Sequence, residues 1–281
     1  MRTLRIMMAS GLTLALAACG GGNTDTTGTT SVANATSPAA AVPVSPSPVP
    51  TAAPTPAAKA SVTKVETKDY DFAYSYPAEA AAIPALAASL DDDRAEVRAA
   101  VAKDAAAFRR EMAEGDFPFR KYDSQVEWKR VANTPRFLSL SAETYDYTGG
   151  AHGSPGFRSL LWDRQAQGQL DVVDIFTSEA AIQSAIGAAF CDALDVQRAK
   201  RRGAPVVRGN GDSFNDCPKV SETTLILGST NGRTFDRIGL LVGPYVAGAY
   251  AEGSYDLTLP VTPALLRAVK PQYRDAFATR G

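Results

Sequence analysis

The sequence predicts an α+β fold of mainly antiparallel sheets with two principal helices, arranged as two associated subdomains. Strand-like runs follow one another through short turns, only two long stretches carry helical periodicity, and the helices intrude on the strands instead of alternating with them. The folded part occupies 61–281, roughly 220 residues, enough for one large domain or two small ones.

Tyr70, Phe72, Tyr74 and Tyr76 alternate with Asp69, Asp71, Ala73 and Ser75, the period of a half-buried strand. Pro77 and Pro84 follow, and the acidic cluster Asp91-Asp92-Asp93 marks the expected start of a first helix, capping it and complementing its dipole. Val97, Val101, Ala105, Phe108 and Met112 give that helix one apolar face, and Gly115 ends it. Strand-like runs then cover Tyr122–Val131 and Phe137–Tyr147, separated by Asn133-Thr134-Pro135. Another, Phe157–Trp162, leads through Gln165–Gly168 into Leu170–Phe176. Ser178 caps a second helix whose face is Ile182, Ile186, Phe190 and Leu194, and Gly203 closes it. Lys200, Arg201 and Arg202 read as chemistry of its negative end. Leu225–Leu227 and Ile238–Val242 form a hairpin pair about Asn231-Gly232. Tyr255, Leu257 and Leu259 make a last strand, and Thr262-Pro263 opens a short final helix.

The segment before the fold sets an address. Arg2 and Arg5 precede the apolar run Ile6–Leu16, too short to span a bilayer, and Leu16-Ala17-Ala18-Cys19 closes it in the pattern of a bacterial lipoprotein signal. Residues 1–18 are then a signal peptide and Cys19 carries the lipid. An ordinary secretory signal with an incidental cysteine is the alternative. Gly20 in place of an aspartate fits anchoring to the outer membrane, facing the periplasm. Residues 19–60 form a Thr-, Ala- and Pro-rich tether that cannot bury enough apolar surface to order itself. Its proline half is stiff, and the tether reaches on the order of 100 Å.

Of 29 basic residues, Arg2 and Arg5 leave with the signal; the remaining 27 face 30 acidic ones, a balance of −3. That argues against a nucleic-acid partner, whose affinity rests on a basic surface. Three cysteines occur. With Cys19 lipidated, Cys191 and Cys217 are an even pair in an oxidising compartment, read as a disulfide, with two free buried thiols as the alternative. Two distant cysteines and one histidine lack zinc spacing, and no metal or cofactor is expected.

The unusual local constellation is Tyr145-Asp146-Tyr147-Thr148-Gly149-Gly150-Ala151-His152-Gly153, a strand running into a glycine-dense turn that holds the only histidine of the chain. Tyr147, Gly149, Gly150, His152 and Gly153 are the candidate binding turn, since glycines permit positive φ and close approach of another backbone. His152 reads either as a general base or ligand contact, or as a structural side chain pinning the turn through a carbonyl; the structural role is favoured. Gly153-Ser154-Pro155-Gly156 lacks the spacing of a nucleophile elbow. Gly209-Asn210-Gly211-Asp212 lacks the acidic residue that would complete a calcium loop.

The strand at Tyr70–Tyr76, the Tyr145–Gly153 turn, Asp174-Ile175-Phe176 and Gly243-Pro244-Tyr245-Val246-Ala247-Gly248 occur in an order that resembles a family of paired envelope domains of unknown function. Such pairs form the extracytoplasmic region of lysozyme-sensing anti-sigma factors of the RsiV type, and the first also accompanies PdaC-type peptidoglycan deacetylases. The resemblance implies an N-terminal PdaC-type accessory domain at 61–155 and a C-terminal RsiV-type domain at 156–281. It implies a non-enzymatic module binding a wall-associated ligand such as a lysozyme-type muramidase. The deacetylase's metal motifs are not matched, and neither are the transmembrane and cytoplasmic parts of the anti-sigma factor. The rival expectation is an envelope hydrolase acting on glycan or peptide through His152 and a nearby carboxylate such as Asp146.

Overall fold

The computed structural model describes residues 58–280; Cys19, the signal segment and nearly all of the tether lie outside them. The fold is α+β, with two mostly antiparallel sheets and two long helices. The larger sheet has six strands in sequential order: β1 (Ser61–Glu66), β2 (Tyr70–Tyr76), β3 (Tyr122–Asn133), β4 (Phe137–Tyr147), β5 (Ser154–Asp163) and β6 (Gly168–Leu170). β2 and β3 pair in parallel, and the other pairs in this sheet are antiparallel. A parallel pair needs a long crossover, and the chain supplies it with the short helix α1 (Ala78–Ala81) and the 31-residue helix α2 (Pro84–Glu114). The smaller sheet, β7 (Thr224–Gly228), β8 (Arg237–Val242) and β9 (Tyr255–Pro260), is an antiparallel meander. Helix α3 (Glu179–Arg202) and helix α4 (Pro263–Ala268) are the remaining α-helices among the described residues. Among the described residues no helix is long and apolar enough to cross a membrane.

Two cores result. Tyr70, Phe72, Tyr74, Tyr76, Trp128, Leu140 and Trp162 pack beneath Leu86, Leu90 and Ala105 of α2. Phe137 and Leu161 leave the opposite face of the same sheet to join α3, α4 and the smaller sheet in the second core. β5 therefore serves both: Leu160 and Trp162 face one core and Leu161 the other. The strand runs from Ser154, so it carries the chain across the 155/156 boundary as one continuous element.

Some elements depart from expectation. Helix α2 starts at Pro84 and Asp91 is its eighth residue, so the acidic cluster lies inside the helix and caps nothing. Proline at the first helical position is pre-set for it and gives up a backbone donor that would be unpaired there anyway. Asp91 and Asp93 instead accept from Tyr76 and Tyr74, at 2.8 and 2.6 Å, bolting α2 to β2. Leu170–Phe176 is not a strand: β6 ends at Leu170 and Val172–Ile175 coil into a 3₁₀ turn that buries Val172 and Ile175. β1, whose only sequence signal is the mixed run Ser61–Glu66, pairs along its full length with β2.

Candidate binding site at the glycine turn

The turn joins β4 to β5 at the end of the large sheet, and each glycine in it answers a neighbour. Gly149 has φ +83°, and the Phe108 ring of α2 sits 2.6 Å from where a Cβ would stand. Gly153 is buried under the Tyr145 ring, which a Cβ there would strike. Gly150 faces open space, and its carbonyl accepts from the Tyr147 hydroxyl at 3.1 Å and from Arg120 at 3.4 Å.

His152 is exposed, but its ring is engaged. It stacks on Tyr250 with centroids 3.8 Å apart, Nδ1 lies 2.9 Å from the Gly153 carbonyl, and Nε2 lies 3.4 Å from the Tyr245 hydroxyl. A neutral ring protonated on Nδ1 satisfies both: it donates to the carbonyl and accepts from the phenol. The Tyr250 hydroxyl donates to the same Gly153 carbonyl at 2.8 Å. Asp146, the expected carboxylate partner, accepts from Ser124 at 2.7 Å. The two sequence segments Tyr145–Gly153 and Gly243–Gly248 are thus brought together through Tyr245.

Tyr245 is 56% exposed and holds φ +67°. A bulky residue in that region costs on the order of 1–2 kcal/mol and persists only where its surroundings over-determine it. The surroundings are arginines of α3. Arg198 is wholly buried and donates to the carbonyls of Ala247 at 2.8 Å, Asp216 at 3.0 Å and Asn215 at 3.4 Å. Arg202 reaches the Glu252 carboxylate at 3.1 Å and the Ala247 carbonyl at 3.2 Å; Arg201 lies over the Tyr255 ring at 3.9 Å and donates to the Ser254 carbonyl at 2.6 Å. Burial by itself would raise the Glu252 carboxyl, but bonds from Tyr255 and Arg202 outweigh it and hold the group below the ordinary carboxylate range. Arg201 and Arg202 at the end of α3, with Arg198, therefore clamp the 243–254 loop and do more than complement the helix dipole. Cys191 of the same helix is joined to Cys217, with Cα atoms 5.5 Å apart, so the carbonyls that Arg198 reaches at 215 and 216 are held beside it.

Tyr250, Arg198 and Glu252 escape a reading of the sequence alone, and Arg202 is read there only as helix-end chemistry. One signal was available: Ile182, Ile186, Phe190, Leu194 and Arg198 continue one spacing of four, so the arginine stands where the apolar stripe demands burial.

The segment from β1 to the turn is the part that known families resolve. Residues 63–155 match the family model described as deacetylase PdaC. This PdaC-like segment contributes His152 and Gly153 to the aromatic cluster, while Tyr245 and Tyr250 come from outside it. Solved structures similar to the chain include two of the DUF3298 family. A DUF3298 family member from Bacteroides fragilis is 17% identical with a TM-score of 0.48, covering 73% of this chain and 90% of its own. A DUF3298 family protein from Pseudomonas aeruginosa PAO1 is 16% identical with a TM-score of 0.41, covering 79% of this chain and 98% of its own. No curated protein matches.

Proposed function

We propose that the chain is a non-enzymatic binding module of the cell envelope, anchored to the outer membrane by lipid on Cys19, whose glycine turn and neighbouring Tyr245 engage a wall-associated protein of the lysozyme-type muramidase class. The observation that carries the reading is the exposed, strained Tyr245 beside His152 and Tyr250, held on a clamped loop. Exposed aromatics that are rigid before binding give contact area at low entropic cost. A turn with open space at Gly150 can enter a cleft. Both nitrogens of His152 are directed at a carbonyl and a phenol, which suits a side chain that shapes a surface rather than one that takes a substrate proton. The acidic balance supports encounter with a strongly cationic enzyme.

Titrating the protein into c-type lysozyme by calorimetry, beside a turbidity assay of wall lysis, tests this. Binding and inhibition are expected, weakened about tenfold or more by Tyr245→Ala, as for an aromatic anchor. No heat and no inhibition at about 100 μM, a range that detects affinities well short of specific, removes the muramidase.

A further inference from the structure

Beside the turn, the face of the large sheet turned away from α2 is only partly covered. Where Phe137 and Leu161 stop, it floors a cleft of about 620 Å³ whose opposite wall comes from the smaller sheet. That volume falls within the ~300–1,000 Å³ of small-ligand sites. Tyr145, Pro155 and Phe157 give the floor an apolar flank, and Gln125 and Ser141 line it with amide and hydroxyl groups.

The charges in the cleft are unbalanced. Register places Glu127 directly opposite Glu143, with Phe157 next to Glu143 on β5. Like charges in that position destabilise a sheet, and one cation, Lys129, answers both at 3.2 and 3.0 Å. Arg130 at the rim is paired with Glu79. From the facing wall β9 adds Asp256, an exposed residue whose side chain sits without an ion pair among the described residues and whose carboxyl is pushed up by partial desolvation. The cleft thus combines ring faces, directional hydrogen-bonding groups and more carboxylates than cations.

We infer that this cleft binds an oligosaccharide bearing free amino groups, with Tyr145 and Phe157 against the sugar rings and with Asp256 and the Glu127–Glu143 pair that shares one lysine toward the ammonium groups. A cationic peptide would meet the same carboxylates, and the test below separates it from the sugar. The inference does not depend on the muramidase reading, because Glu127, Glu143, Phe157 and Asp256 lie outside the turn.

Calorimetry on the intact chain with a glucosamine tetramer, its N-acetylated counterpart and tetralysine tests it. The glucosamine tetramer should bind at least about fivefold more tightly than the acetylated one, as for loss of a charged contact. Asp256→Asn with Glu143→Gln should weaken it about tenfold, and Phe157→Ala should weaken it without changing the preference for the free amine. Because Glu143 and Asp256 are surface positions, their variants should keep the melting temperature of the parent, and Glu143→Gln alone serves if the double variant does not. No heat with the glucosamine tetramer, equal binding of both tetramers, tetralysine binding as tightly, or no effect of the carboxylate substitutions would each overturn the inference.

Discussion

Gly153 and His152 divide the work of the turn between space and contact. Tyr145 occupies the volume a side chain at 153 would need, so Gly153→Ala should displace that ring and lower stability by about 1–3 kcal/mol, the usual cost of overpacking. Thermal unfolding reads this directly. His152 braces Tyr250 and faces the Gly153 carbonyl, so His152→Ala should cost about 1 kcal/mol, a lost hydrogen bond and a stacked pair. Under the proposed function, any partner affinity should stay within a few fold after correction for the fraction folded. A fully stable variant that has lost an activity would instead favour a hydrolase. The glycines of this turn were legible in the sequence because their density is unusual. The rings that meet them were not, since Tyr250 lies nearly a hundred residues away and only tertiary packing selects it.

At the scale of elements, α2 is held by polar bonds as much as by its apolar stripe. Asp93 accepts two bonds from Arg158, at 2.9 and 2.8 Å, and one from Tyr74, whose hydroxyl also accepts from the Trp128 indole at 2.9 Å. Burial works to raise the Asp93 carboxyl, but Arg158 and Tyr74 prevail and hold it below its ordinary value. A carboxylate whose folded pKa lies below the unfolded value of about 3.9 contributes stability at neutral pH that disappears as pH falls through the folded value. Asp93→Asn should therefore lower stability at neutral pH and flatten its decline below about pH 4, followed by urea unfolding across pH. Reduction of the Cys191–Cys217 bond, which closes a separation of 26 residues, should cost about 3.5 kcal/mol on the chain-entropy account. Two freely alkylated thiols in the unreduced protein would contradict the bond. The strands at Tyr70–Tyr76 and Phe137–Tyr147 and the second helix were legible because period and caps agree there. The start of α2 was not, because an aspartate triplet resembles a cap whether or not it sits at one, and Pro84 marks the true beginning.

For the whole molecule, one sheet with a different core on each face explains why no linker-like break separates the two halves. β5 alternates between the cores, so neither half closes without it. That the sheets are mainly antiparallel was legible from strands following one another through short turns; the parallel β2–β3 pair was not, since alternation of side chains is the same in either direction. The address is tested at this scale too. Cys19→Ser should move the protein out of the membrane fraction or leave it unprocessed, and a cleaved variant that stays membrane-bound would place the anchor elsewhere.

The register of β1 has a mechanical meaning. Ser61 pairs with Tyr76, at the end of the sheet opposite the glycine turn, and Glu66 pairs with Asp71 near the turn's own end. A pull between the entry to β1 and a partner gripping the turn would run along the strands. The bonds between β1 and β2 lie across that direction, so six residue pairs would bear the load together instead of parting one after another. A weak edge strand becomes a strong one when tension is applied along it. Force spectroscopy with handles at residue 58 and the turn should meet a single high rupture, whereas a pull across the sheet should unzip β1 gradually.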